Sequence, residues 1–156
     1  MKWENVQLST ITDVLESGSR PKGGAVSAGI PSLGAEHLDG LGGFKFKKIK
    51  YVPIGHFKEM TSGILQKSDI LIVKDGATTG KVSIVKEDFP YLSACINEHV
   101  FLLRLDSSKC LSRFCFHYLS SVQGQKELLS DFRGATVGGI SRNILNLIKV
   151  PLPPLH

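Results

Sequence analysis

Residues Asp69–Lys86 read DILIVKDGATTGKVSIVK. Two apolar, β-branched runs, Asp69–Lys74 and Lys81–Lys86, enclose the segment DGATTG at Asp75–Gly80. Short apolar runs bounded by Gly and Asp read as strands, and an Asp-Gly step supplies the backbone freedom of a hairpin turn. The stretch therefore predicts strand, turn, strand near the middle of the chain. On its C-terminal side, Leu92–Leu105 reads as two more strands or one bent one. On its N-terminal side, Phe44–Val52 alternates, with Phe44, Phe46, Lys48 and Lys50 on one side and Lys45, Lys47, Ile49 and Tyr51 on the other. That pattern predicts an exposed, lysine-rich strand of the kind that resists edge pairing.

Further out, the period changes. Leu111, Phe114, Cys115, Tyr118 and Leu119 recur at helical spacing and predict an amphipathic helix over Leu111–Ser121. A second helix is expected over Gln125–Phe132. A short one is expected near Ser141–Leu147 with Ser141 as N-cap, followed by an extended Lys149–Leu155. Pro53 opens a short segment of helical character running to Met60. Leu8, Ile11, Val14 and Leu15 also show helical spacing, and Thr10 with Asp13 forms a capping-box signal. Ser17–Pro31 breaks that pattern with its Gly and Pro content and reads as a long loop or irregular strand edge. Strands clustered in the middle and helices after them predict an α+β fold rather than alternating βαβ units.

A chain of 156 residues, 42% apolar and 21% charged, fits one domain spanning 1–156 with a real core. No run approaches the roughly 18 apolar residues of a membrane span, and MKWENVQLST lacks a signal-peptide core, so a soluble, cytoplasmic protein is expected. Nineteen Lys and Arg against fourteen Asp and Glu give +5, which favours a polyanionic partner. The three cysteines, Cys95, Cys110 and Cys115, form no CxxC pair. Cys115 and His117 fall on different helix faces, so structural thiols are expected rather than a metal site.

Catalytic motifs do not survive inspection. Gly76-Ala-Thr-Thr-Gly80-Lys81-Val82 is one residue short between its glycines, and Val82 has no hydroxyl for magnesium. No G-x-G-x-x-G, H-E-x-x-H or G-x-S-x-G occurs. No Asp or Glu has a Lys two positions later, as metal-dependent nucleases often do. Pro153-Pro154 sits between Leu152 and Leu155, so the Pro-Pro-aromatic motif of amino-methyltransferases is missing. Glu98-His99 is one possible acid/base pair, with no nucleophile beside it.

What remains is a binding surface. Arg20 and Lys22 lie among Gly18, Gly23 and Gly24; Lys74 and Lys81 flank Gly76 and Gly80; Arg133 and Arg142 flank Gly134, Gly138 and Gly139. Glycine lets a backbone approach phosphate closely, lysines fix register on the backbone, and Arg or Asn reads guanine or adenine in the major groove. Arg142 and Asn143 are the expected base readers, and Lys74 with Lys81 can straddle a phosphate. Two other readings stand beside this one. One is a small nucleic-acid-processing enzyme; the other is a protein-interaction module whose Phe44–Val52 strand binds an acidic partner.

At this point the chain resembles a target recognition domain of the specificity subunit of type I restriction–modification enzymes, over nearly its whole length. Trp3, Leu8, Ile11 and Ser17-Gly18-Ser19-Arg20-Pro21 resemble the family's opening, and Gly29-Ile30-Pro31 its glycine-isoleucine-proline step. Asp69-Ile70-Leu71, Asp75-Gly76 and Gly80-Lys81 fit its strand–turn–strand signature, with Ser68 where the family usually has Gly. Gly134-Ala135-Thr136, Ile140, Leu145, Ile148 and Pro151-Leu152-Pro153-Pro154-Leu155 fit its closing segment. The family normally continues past this point into a long helix. The resemblance accordingly implies one recognition domain, without the spacer helix or a second recognition domain.

It further implies a curved, mostly antiparallel sheet with flanking helices, whose loops enter the major groove and read one half of a bipartite duplex target. It implies no catalysis and no cofactor in this chain. S-adenosylmethionine would act on a methylation subunit, and ATP and Mg on a restriction subunit. The DNA-binding residues expected together are Arg20, Lys22, Lys74, Lys81, Arg133, Arg142 and Asn143.

Overall fold

Ile70–Val73 (β5 in the numbering below) is buried at all four positions, and its alternation shows why. Ile70 and Ile72 enter one apolar cluster; Leu71 and Val73 enter another. Successive strand side chains point to opposite faces, so the strand must be covered on both. This is why the sequence shows an unbroken apolar run instead of a polar alternation. The computed structural model describes residues 2–135 and 137–154. Met1, Thr136 and Leu155 of the expected opening and closing segments, and His156, lie outside them.

The strands in chain order are β1 (Glu4–Gln7), β2 (Thr12–Ser17), β3 (Ile30–Leu33), β4 (Lys50–Val52), β5, β6 (Val82–Ile84), β7 (Cys95–Ile96), β8 (Val100–Leu105) and β9 (Lys149–Leu152). The α-helices are α1 (Ile54–Glu59), α2 (Ser112–Ser120), α3 (Val122–Leu129) and α4 (Ile144–Leu147). The central sheet has the order β2-β8-β5-β6 and is antiparallel throughout. A second sheet, β4-β3-β7, carries one antiparallel and one parallel pairing, and β1 pairs antiparallel with β9. The fold is α+β, as the residue pattern predicts, and mostly antiparallel, as the resemblance implies, with its strands divided among three sheets rather than one.

One face of the central sheet packs against the helices. Phe101, Leu103 and Leu105 of β8 meet Cys115 and Leu119 of α2, Leu128 of α3 and Ile144 of α4 in one cluster. The other face, with Leu71, Val73, Val100 and Leu102, packs on Leu33, Leu38 and Ile96 around the second sheet. Arg104 continues the β8 alternation on that second face. Its guanidinium donates from Nε and Nη2 to both oxygens of the fully buried Asp69, each at 2.8 Å. Burial raises the Asp69 carboxyl above its ordinary value, against the hydrogen bonds from Arg104 and the Gln66 amide that favour the ionised form.

The hairpin, the two strands within Leu92–Leu105, the short helix after Pro53 and the three later helices form as expected. The third starts at Ile144 with Asn143 in the cap position. Ser141 supports the preceding turn, its hydroxyl oxygen accepting the Asn143 N–H at 3.2 Å. Besides the expected Ser141 N-cap, two expectations fail. Leu8–Leu15 is not an α-helix. Leu8–Ile11 is a single 3-10 turn, and β2 follows it. A 3-10 repeat places residues three apart on one side, and an irregularity between Thr12 and Val14 then returns Leu15 to the same cluster. A turn plus a bulged strand thus imitates helical spacing. The Thr10 and Thr12 hydroxyls donate backward to the Gln7 and Leu8 carbonyls rather than capping a helix.

Phe44–Val52 is not one strand. Phe44 makes an isolated bridge to Leu38, Lys48 adopts a left-handed φ of 53°, and only β4 pairs with β3. The expected placement of Phe44 and Phe46 on one side survives. Their rings stack at 5.7 Å and close an aromatic group with Phe89 and Tyr91. Among the described residues no helix is long and apolar enough to cross a membrane.

Candidate nucleic-acid interface

Four loops meet at the end of the central sheet where β5 ends and β8 begins: residues 18–29, 74–81, 97–99 and 133–141. Their contacts are mostly backbone. Gly18 N–H donates to the Asn97 carbonyl at 3.1 Å, and Lys74 N–H to the His99 carbonyl at 2.9 Å. Ile140 N–H donates to the Lys74 carbonyl at 2.7 Å, and Gly76 N–H to the Gly138 carbonyl at 3.1 Å. Arg133 and Gly139 exchange both backbone bonds at 2.9 Å, which closes the 133–139 loop on itself.

The glycines divide into two kinds. A Cβ on Gly18 would lie 1.9 Å from the Ile96 carbonyl oxygen, and one on Gly139 would lie 2.5 Å from the Lys74 carbonyl oxygen. These positions are glycine because loop backbones touch there. Gly23, Gly24 and Gly76 are different: each has a positive φ, and a Cβ would meet nothing within 4 Å. Backbone at those three is open to an incoming group such as phosphate.

The seven basic and amide residues singled out in the sequence have distinct settings. Lys22, Arg133 and Asn143 are exposed. Arg20 is also exposed, its Nη1 lying 4.0 Å from Glu98 Oε1. Lys74 is half-buried and holds its ammonium 5.4 Å from the centre of the Phe101 ring. Lys81 turns inward: its Nζ donates to the Leu38 carbonyl at 2.7 Å, beside an open cleft of about 490 Å³ bordered by Gly40, Gly42, Phe116 and His117. Burial pulls its pKa below the ordinary lysine value, with the Lys45 charge acting in the same direction. Lys74 reaches toward the helix-side cluster and Lys81 toward Leu38 in the opposite cluster. They therefore face opposite sides of the sheet and do not straddle one phosphate. Arg142 donates from Nη1 to the Leu15 carbonyl on β2. Its side chain thus ties the 133–141 loop to the strand that leads into the Arg20 loop.

Asp131, Asp75 and His99 help set these positions. Asp131 is buried, and its Oδ2 accepts the Ser141 N–H at 2.6 Å and the Ser141 hydroxyl at 2.8 Å, fixing the chain just before Arg142. Asp75 Oδ1 lies 2.6 Å from His99 Nδ1. The available signal was the polar step Asn97-Glu98-His99 between two apolar runs. Among the described residues no group of three or more His, Cys, Asp or Glu is arranged to hold a metal ion. Cys95, Cys110 and Cys115 are buried free thiols.

The edge therefore combines exposed cations with open glycine backbone on a braced set of loops. A family model described as "Type I restriction modification DNA specificity domain" matches residues 1–156. Among solved structures, the chain is similar to the type I restriction–modification S subunit from M. genitalium, at 16% identity and TM-score 0.62, covering 96% of this chain and 34% of that one. It is similar to the HsdS subunit from Thermoanaerobacter tengcongensis, at 17% identity and TM-score 0.67, covering 98% and 34%. A third likeness is to a structure describing complex assembly and conformational transition of the type I R-M system, at 19% identity and TM-score 0.69, covering 99% and 35%. The chain thus spans about a third of the length of these structures. No curated protein matches it.

Proposed function

The chain belongs to the type I restriction–modification DNA specificity domain family, and from that premise we propose that it binds double-stranded DNA sequence-specifically, reading one half of a bipartite target. In this reading residues 1–156 act as a single recognition domain without catalysis of their own. The domain works in the cytoplasm and assembles with methylation and restriction subunits, which bring S-adenosylmethionine, ATP and Mg.

The observation that carries the proposal is the convergence of four braced loops with Arg20, Lys22 and Arg133 exposed beside the open backbone of Gly23, Gly24 and Gly76. Cations next to sterically open backbone suit phosphate, which positions a protein on the duplex. Lys22, Lys74 and Arg133 take phosphates in this account. Arg20 and Asn143 are the side chains offered to base edges. Lys81 serves from behind, spending a donor on an interior carbonyl; Arg142 is exposed and gives one donor to the Leu15 carbonyl, its remaining donors being offered to the duplex.

Selection from a random duplex library with the full chain tests the reading. Enrichment of one short motif supports it; recovery of unrelated sequences refutes it. Incubating the chain with DNA, Mg²⁺ and S-adenosylmethionine tests the non-catalytic part, which cleavage or methyl incorporation by this chain alone would refute.

A further inference from the structure

His99 stands where the loops meet, and no DNA contact has been assigned to it. Its backbone carbonyl accepts the Lys74 N–H, and its own N–H donates to Asn97 Oδ1 at 2.9 Å. Its ring faces two carboxylates on different loops. Nδ1 lies 2.6 Å from Asp75 Oδ1, and Nε2 lies 3.6 Å from Glu98 Oε1. The same Glu98 oxygen is 4.0 Å from Arg20 Nη1. Asp75 precedes Gly76, whose amide is bonded to Gly138. A chain of polar contacts thus runs from the Arg20 loop through one imidazole to the clamped 74–81 and 133–141 loops.

Such a network is a poor device for stability. Arg20 is 73% exposed and His99 52%, and exposed ion pairs contribute about 0–1 kcal/mol. It is a good device for geometry. Arg20 sits on a loop flanked by Gly18, Gly23 and Gly24, and an unrestrained arginine there loses much side-chain freedom on binding. A catalytic use of the Asp75–His99 pair lacks its nucleophile: among the described residues no hydroxyl or thiol is bonded to His99, and Ser19 faces His56 instead at 3.4 Å.

We propose that His99 is a positioning residue for DNA recognition, coupling Arg20 through Glu98 to Asp75 so that the separate loops meet the duplex as one surface. The inference rests on the DNA-binding reading above and deepens it.

A double-mutant cycle in the full chain tests it, using the duplex enriched by selection. Arg20 and Asp75 make no direct contact, so Arg20→Gln and Asp75→Asn should multiply if they are independent. The proposal expects their combined loss of affinity to differ from the product by about 3-fold or more, and this coupling to vanish in a His99→Ala background. A purely structural role would lower thermal stability without producing a coupling that depends on His99. Losses that multiply, or coupling that persists without His99, overturn the proposal.

A second measurement needs no DNA. Amide exchange at Gly76 and Ile140, the donors that join the two loops, should accelerate about 3-fold in free His99→Ala, because the loop clamp opens locally. Unchanged exchange overturns the proposal. A wild-type chain that enriches no motif refutes the DNA-binding reading instead, and the exchange result still decides whether His99 couples the loops.

Discussion

Lys81→Met separates a lysine that holds the fold from one that holds DNA. Methionine keeps an apolar stem of similar length and removes the ammonium. The structure fixes what is lost: one charged hydrogen bond of 2.7 Å to the carbonyl of Leu38, a residue with no exposed surface. A hydrogen bond to a charged group contributes about 1.5–3 kcal/mol net. Removing it leaves a carbonyl that water reaches poorly, so a loss of about 2 kcal/mol is expected. For a domain of this size each kcal/mol moves Tm by about 2–4 °C, giving a fall of about 4–8 °C.

The same variant should bind duplex DNA nearly as well as wild type at temperatures where both are folded, with an unchanged salt dependence. Lys22→Met is the contrasting case. Lys22 is exposed, with no carboxylate within 4.0 Å among the described residues, so its Tm should hold. Its slope of log affinity against log salt should shallow by about 0.9, which is roughly 8-fold in affinity at 0.1 M salt relative to a 1 M reference. Differential scanning fluorimetry and anisotropy titrations at several salt concentrations read both quantities. If Lys81→Met keeps its Tm and lowers the salt slope by about one phosphate, the inward assignment of Lys81 is refuted.

Tyr118 donates its hydroxyl to Glu127 Oε2 at 2.8 Å, and burial first, then the bond and the Glu127 charge, push its pKa well up. A raised folded-state value gives stability that is full below the unfolded value near pH 10 and is lost as pH climbs beyond it. Tyr118→Phe should therefore fall less steeply in stability above about pH 10 than wild type, as measured by urea unfolding across pH. Gly18→Ala places its methyl 1.9 Å from the Ile96 carbonyl oxygen, an overpacking expected to cost about 1–3 kcal/mol. It should also speed exchange of the Gly18 amide that bonds Asn97. Leu103→Ala, in the fully buried centre of β8, should cost about 2–5 kcal/mol by the same unfolding assay.

Much of the fold is legible because its determinants are local. The DILIVK and KVSIVK runs, the Asp-Gly turn and the Leu111–Leu119 periodicity each specify their own element. β2 is not legible, because a 3-10 turn followed by a bulge reproduces the apolar spacing of a helix. The lysine-rich segment fails for a related reason. Alternation describes side-chain direction, and it survives in the Phe44–Phe46 stack, but the reversal at Lys48 is a backbone event that alternation does not encode.

The candidate interface is legible in composition and illegible in wiring. Basic residues beside glycines mark the loops. Which glycines face solvent and which accommodate a neighbouring loop depends on contacts such as Gly18 with Ile96, far apart in sequence. Lys74 and Lys81 look equivalent around one turn, yet strand alternation sends them to opposite faces. Asp75 and His99 lie 24 residues apart. Their pairing follows only from the β5–β8 register that brings Val73 opposite Val100.

An affinity ratio tests sequence-specific recognition most directly. The full chain is titrated at one salt concentration against its enriched duplex and against a shuffled duplex of the same length and composition. Specific recognition predicts binding at least about 10³-fold tighter to the enriched duplex. Equal affinity for the two, with both falling together as salt rises, would show that the basic loops grip phosphate and read nothing.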